Sequence, residues 1–141
     1  MSKTIFFHNA DTSYLLKNKR LISSWITSAI IEEEKRLKEI SYVFCTDDYL
    51  ININQKHLNH DTYTDIITFD YTEDGNITSE IYISVDRVRE NAKNLGVETL
   101  DETHRVIIHG VLHLCGYNDK SELQAQEMRN KENYYLGKRD F

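Results

Sequence analysis

The run Thr99-Leu-Asp-Glu-Thr-His-Arg-Val-Ile-Ile-His-Gly-Val-Leu-His-Leu-Cys-Gly-Tyr-Asn-Asp119 decides how the chain is read. Val106, Ile107, Ile108, Val111, Leu112 and Leu114 leave almost no polar face, the mark of a helix covered on most sides. Thr99 and Glu102 have the spacing of a capping box, so the helix is expected to start near Leu100. Gly116 can take the left-handed conformation that ends it. His109 and His113 are four residues apart and leave one face a turn apart. Beyond Gly116 the chain turns back, and Asp119 can bring an oxygen toward both imidazoles. Two imidazoles and a carboxylate on one side of a cation, with the other side open, are the donor set of a catalytic metal. The plainer reading is a pair of core histidines, each of which then needs partners for both ring nitrogens. The His-Glu-x-x-His protease pattern has its general base directly after the first His. Here that residue is Gly110, so the pattern is excluded. Gly in mid-helix costs about 1 kcal/mol relative to Ala, so another element is expected to approach the backbone closely at Gly110.

Residues His109 to Asp119 resemble the signature of the YbeY family, His-Gly-x-Leu-His-Leu-x-Gly-Tyr-Asp-His. Thr64-Asp-Ile-Ile-Thr-Phe69 is similar to that family's Thr-Asp-Val-Leu-Ser-Phe strand. Asn54 and Asp61 stand where the family has Asn and Asp upstream of it. The resemblance extends, in length and element order, over nearly the whole chain. It implies a zincin-like α+β fold, a mixed four-stranded sheet with helices around it and a buried ligand helix. It also implies a bacterial metal-dependent endoribonuclease that cuts single-stranded RNA in rRNA maturation and ribosome assembly, at the ends of small-subunit rRNA. One zinc ion per chain would be held by His109, His113 and Asp119. Such an ion brings the pKa of its water toward about 7 and polarises a phosphoryl oxygen. Single-stranded rRNA, small-subunit ribosomal particles and assembly proteins are the implied partners.

The chain departs from the family pattern in several places. Asp119 replaces the third His and Asn118 the preceding Asp, while Leu58 and Tyr63 replace an upstream Arg and Pro. A carboxylate in place of a neutral imidazole lowers the charge of the site by one unit. That weakens Lewis acidity and moves preference toward harder ions such as Mn²⁺ or Fe²⁺. Two other classes stay open: a metal hydrolase of peptides or small esters, and a non-catalytic ribosome-assembly factor braced by a metal. The acidic charge and Leu58 favour the second of these.

A length of 141 residues, 40% hydrophobic and 28% charged, suits one globular domain over residues 1–141. No run approaches the roughly 20 apolar residues of a membrane span. The apolar run in Met-Ser-Lys-Thr-Ile-Phe-Phe-His is too short for a signal peptide. A cytoplasmic location is expected, with Cys45 and Cys115 as small buried hydrophobes in a reducing compartment. A net charge of −6 is awkward for an RNA enzyme, because basic surface supplies most nonspecific affinity. It calls for a local basic patch or a protein partner. Arg105 and Lys120, flanking the motif, are the foremost candidates for phosphate contact, followed by Arg87, Arg89 and Lys93.

Outward from the motif, Lys3 to Asn9 reads as a strand. Asn18 is expected to cap a helix with Ile22, Trp25, Ile26, Ala29 and Ile30 on one stripe. Its end, Glu32-Glu33-Glu34-Lys35-Arg36, reads as a solvated face. Glu39 to Thr46 alternates as a strand with Ile40, Tyr42 and Phe44 on one side. Asp47 or Asp48 is expected to cap a short helix through Leu50, Ile53 and His57. Asn59 to Thr62 is turn-rich. Asp65 to Tyr71 alternates little and is expected to be a central strand. It is joined through Asp74-Gly75-Asn76 to a strand over Glu80 to Val85 in an antiparallel hairpin. Asp86 is expected to cap a helix with the stripe Val88, Ala92 and Leu95, ended by Gly96. Ser121 and Gln124 form a capping box for a last helix to about Tyr134.

Other chemistry-bearing residues are His60, Asp61 and Asp65, which flank the turn into the hairpin. Asp65 is a candidate to orient a ligating imidazole. Glu80 is a weak candidate for the general base that Gly110 cannot supply. His104 is off the ligand face and is expected at the surface. His8 and His57 are expected to be structural or exposed, and Tyr117 to pack beneath the turn.

Overall fold

A computed structural model of the chain describes residues 3–57 and 64–141 in full, and the backbone alone at Leu58. The expectations for His60, Asp61, the Asn59–Thr62 turn, Tyr63 and the Leu58 side chain lie outside the described residues. The elements run β1 (Ile5–Asn9), α1 (Lys19–Glu32), β2 (Arg36–Cys45), α2 (Asp47–Leu58), β3 (Ile66–Asp70), β4 (Asn76–Ser84), α3 (Val85–Leu95), α4 (Thr99–Leu114) and α5 (Glu122–Leu136). The four strands form one mixed sheet in the order β1-β2-β4-β3. β1 and β4 run parallel to β2, and β3 runs antiparallel to β4. The architecture is the expected α+β one. Among the described residues no helix is long and apolar enough to cross a membrane.

The period-two alternation of the strands sorts the two faces of the sheet. Ile40, Tyr42 and Phe44 of β2 and Ile77, Ile81 and Ile83 of β4 meet the stripe of α1 and the apolar body of α4 in the main core. Burial of an isoleucine in that core contributes about 1.5–3 kcal/mol. Ile107 and Ile108 of α4 are completely buried. On the other face Cys45, Leu50 and Ile67 form a smaller cluster with Ile53, Phe69 and Tyr82 beneath α2. Cys115, in contrast to Cys45, is only half-buried.

β3 is an edge strand and not a central one. Its apolar run has another cause. Ile66 packs toward the main core and Ile67 and Phe69 toward the smaller cluster, so both faces are covered although one edge is open. At Gly110 a Cβ would lie 3.1 Å from Ile66 Cδ1 and 3.2 Å from Ile81 Cδ1. The missing side chain therefore lets α4 sit directly on the β3–β4 hairpin, as its mid-helix position led one to expect.

Several helix starts differ from their sequence signatures. Asn18 precedes α1 in the left-handed conformation, and its side chain makes no cap bond. The Thr46 hydroxyl accepts from the Tyr49 amide at the start of α2, which leaves Asp47 free to accept from Ser84 and pair with Arg87. Ser84, not Asp86, caps α3 by accepting from the Arg87 amide. Asp86 instead accepts from the Asp47 amide. Leu95, at the end of α3, is exposed, while Gly96 ends the helix in the left-handed conformation as expected. Glu98 precedes α4 with no side-chain cap, so no Thr99–Glu102 box forms. The Ser121–Gln124 box at α5 is complete, and that helix runs on to Leu136. The competing caps come from residues adjacent in the fold as well as in the chain, which local spacing cannot weigh.

Candidate metal centre

The end of α4 and the turn after it bring His109, His113 and Asp119 together. His109 Nε2 and His113 Nε2 are 3.0 Å apart. Asp119 Oδ2 lies 3.4 Å from the first and 3.6 Å from the second. Gly116, at φ +107°, makes the reversal that returns Asp119 to the helix face. Hydrogen bonds on the far side of each ring set which nitrogen is bare. His113 Nδ1 donates to the Tyr117 carbonyl at 2.9 Å. His109 Nδ1 donates to Glu132 Oε2 at 2.7 Å. Both acceptors lack a proton to give, so the proton of each neutral ring sits on Nδ1.

Two bare Nε2 atoms and a carboxylate oxygen thus face one another, an arrangement that requires a positive charge between them. A tetrahedral cation with bonds of about 2.0–2.2 Å holds its donors about 3.3–3.6 Å apart. The observed triangle matches on its two Asp119 edges and is slightly short on the imidazole edge. The donor set therefore fits a divalent ion, and among the described residues these three form the cluster of His, Cys, Asp and Glu able to hold one. Without a metal a proton takes that role. Burial opposes charge on His109, but the Glu132 hydrogen bond and charge, with Asp65 and Asp119, raise its pKa on balance. Burial and the neighbouring His109 lower that of His113.

Glu132 was not singled out from the sequence. It is buried on α5 between Met128 and Tyr135. A carboxylate on the apolar i, i+4, i+7 stripe of that helix is the signal that points to it. Burial alone would raise its pKa, but the bond to His109 and the Arg105 guanidinium hold it down. Arg105, expected to face phosphate, is instead committed to protein carboxylates. Its Nη1 is 3.1 Å from Glu132 Oε1 and its Nε 3.3 Å from Glu102 Oε1. The second contact lacks hydrogen-bond alignment and leaves Glu102 Oε1 buried without a donor. Arg87 is likewise paired with Asp47 at 3.1 Å. Arg89 lies over the Tyr14 ring at 5.8 Å, while Lys120 is exposed.

A cleft of about 430 Å³ opens beside the triangle, lined by His109 and Asp119 with Asp65, Glu102, Glu132 and Arg129. Burial pushes the carboxyls of Asp65 and Glu102 above their ordinary pKa. Asp65 accepts from Asn91 at 3.2 Å and does not orient an imidazole; Glu132 does that. Glu80 is on the opposite face of the sheet, beside Tyr71 and Tyr82, and is out of reach as a general base. His104 is not at the surface but 2% exposed, accepting at Nδ1 from Arg139 at 2.7 Å. His8 and His57 are exposed. Tyr117 donates to Glu33 Oε1 at 2.8 Å, and Tyr135 and Lys131 bind the other oxygen of Glu33. Glu33 therefore departs from the solvated face expected of its charge run and anchors the turn that carries Asp119.

A buried helix with paired imidazoles, a returning carboxylate and an acid-lined cleft on a mixed sheet defines the class of metal-dependent hydrolases. The family model of endoribonuclease YbeY matches residues 6–139. The endoribonuclease YbeY of Flavobacterium johnsoniae is 48% identical over 124 residues, covering 88% of this chain and 89% of that protein. The endoribonuclease YbeY of Cytophaga hutchinsonii is 44% identical over 140 residues, or 99% of this chain and 98% of that one. The solution structure of TM1509 from Thermotoga maritima superposes with a TM-score of 0.65 at 25% identity, covering 94% of this chain and 87% of that one. The chain belongs to the YbeY endoribonuclease family.

Proposed function

We propose that the protein is a metal-dependent endoribonuclease that cuts single-stranded RNA in rRNA maturation. His109 Nε2, His113 Nε2 and Asp119 Oδ2 hold one divalent cation per chain, with zinc the first choice. The observation that carries this reading is the convergence of three bare acceptors at the mouth of the cleft. When bound, the cation supplies Lewis acidity toward a phosphoryl oxygen and an acidified water. Glu132 keeps the His109 proton on Nδ1 and the Tyr117 carbonyl does the same for His113, so both rings present Nε2. Arg129, half exposed on the cleft wall, lies 3.7 Å from Glu132 Oε1 and shares that carboxylate with Arg105, so it reaches a phosphate only by giving up that pair. Asp65 and Glu102 are the cleft carboxyls that burial pushes above their ordinary pKa, which makes them the candidate proton acceptors. Small-subunit ribosomal particles and their assembly proteins are the proposed partners, the cytoplasm the proposed location, and residues 1–141 one functional domain.

The test is cleavage of a labelled single strand and of the same sequence in duplex, by parent and by His113→Ala protein, each after chelation and after adding back zinc or manganese. The parent should cut the single strand only when metal is present, and elemental analysis should find about one ion per chain, the count of a single catalytic site. His113→Ala should lose both metal and cleavage. Stoichiometric metal retained by His113→Ala, or cleavage indifferent to metal, rejects the ligand assignment.

A further inference from the structure

The basic patch that an acidic RNA enzyme needs is not beside the metal centre, where Arg105 is neutralised by Glu102 and Glu132. It is at the other edge of the sheet. Residues 1–31 carry four Lys and Arg against one Asp, whereas residues 32–141 carry thirteen against twenty-two acids. The structure gathers part of that charge in a groove of about 1070 Å³ lined by β1 and α1. Lys3, Lys19 and Arg20 line it, and no acidic residue does. All three are exposed, and none makes an ion pair with a described residue. The hydroxyl-bearing Ser24 and Ser28 of α1 continue the same wall.

Ile5 and Phe7 face α1 and the main core, and the other face of the same edge strand offers flat surface. Phe6 and His8 are on the same side of β1, and their rings are nearly parallel, with centroids 6.3 Å apart and an interplanar angle of 8°. Neither belongs to the main core or the smaller cluster. β1 is an edge strand, so no further strand among the described residues covers this border. A cationic track beside stacked rings is how proteins hold single-stranded nucleic acid without reading its sequence. An edge strand also invites a protein strand, but that occupant has no use for three unpaired cations. The charge complementarity favours a polyanion.

We propose that the β1 edge is a second binding site for single-stranded RNA, in which Lys3, Lys19 and Arg20 of the β1–α1 groove contact phosphates and Phe6 and His8, on the other face of β1, stack on bases. The proposal rests on the RNA-cleaving function above. The sheet has four strands about 4.8 Å apart, so the β1 edge is about 14 Å from the β3 edge over which the ligand helix packs. A single strand spanning several nucleotides can therefore occupy both sites, with the groove holding the substrate and the metal centre cutting it.

The experiment is fluorescence anisotropy with a labelled single strand of about 16 nucleotides, with chelator present so that nothing is cut. The parent is compared with Lys19→Gln/Arg20→Gln and with His8→Ala from about 0.05 M to about 0.2 M salt. Each phosphate contact contributes about 0.7 to the log–log salt slope for single strands. Losing two should make the slope shallower by about 1.4. Counterion release then predicts binding about sixtyfold weaker at 0.05 M salt and about tenfold weaker at 0.2 M. His8→Ala should weaken binding about fivefold or more with the slope unchanged at pH 8, because a stacking ring contributes no phosphate contact. Metal content and the rate on saturating RNA should stay at parent values while KM rises. A double variant with the parent's affinity and slope overturns the groove while leaving the endoribonuclease function standing. So does a parent that binds no RNA at low salt. Normal groove-dependent binding with no cleavage in the presence of metal supports the groove and rejects the catalytic reading.

Discussion

Glu132 is where the electrostatics of the proposed metal centre can be perturbed without touching a proposed donor atom. Its Oε2 accepts the His109 Nδ1 proton at 2.7 Å, and its Oε1 pairs with Arg105 at 3.1 Å. A carboxylate behind an imidazole fixes its tautomer and raises its basicity, and removing such a partner costs about 10–100-fold in metal affinity. The two effects separate in two variants. Glu132→Gln keeps an acceptor for Nδ1 and loses the charge, so about tenfold is expected, or about 1.4 kcal/mol. Glu132→Ala loses both, so about 100-fold is expected, or about 2.7 kcal/mol. Arg105 still faces Glu102 in either variant. Proton competition has the opposite sign. Glu132 raises the pKa of His109, so in the parent a metal must displace a proton bound more tightly than usual. The affinities therefore belong at about pH 8, above the unperturbed imidazole range, and the gap between parent and variant should narrow as pH falls. Competition with a chromophoric chelator measures affinity, and NMR titration of His109 in metal-free protein measures the pKa, which should drop in Glu132→Gln. Equal metal affinity in parent, Gln and Ala proteins, with His109 titrating unchanged, would refute the role assigned to Glu132.

Asp119→His should keep metal binding and move preference toward zinc, and Asp119→Ala should weaken binding with the fold intact; an unchanged affinity in the Ala protein, read by the same competition, removes Asp119 from the ligand set. His104 makes the fold acid-sensitive, because burial and then the Arg139 charge lower its pKa to about 4. Below its unfolded value of about 6.5, protons bind the unfolded chain first, so stability falls with pH until the folded pKa is reached. Between pH 7 and pH 5 this group alone removes about 2 kcal/mol; urea unfolding at both values should show the loss in the parent and not in His104→Gln, and equal losses would reject it.

The buried helix over Thr99–Leu114, the His109–His113 spacing, the place of Gly110 and the β3–β4 hairpin were all legible in the sequence, because each rests on periodicity or spacing within a few residues. The same locality explains the family motif at His109 to Asp119, a turn of helix and the reversal after it. The tertiary structure alone decided matters between elements far apart in the chain. The apolar run of Ile66, Ile67 and Phe69 signals two covered faces but not whether the strand has one neighbour or two, so β3 proved to be an edge. Arg105 looked like a free cation until α5 brought Glu132 against it, 27 residues away. His104 looked exposed until Trp25, Arg139 and Phe141 closed over it. A charge or a ring has no partner in a sequence; folding assigns one through contacts between distant segments, and that assignment separates the buried pairs around His109 from Lys3, Lys19 and Arg20, which form no ion pair with a described residue.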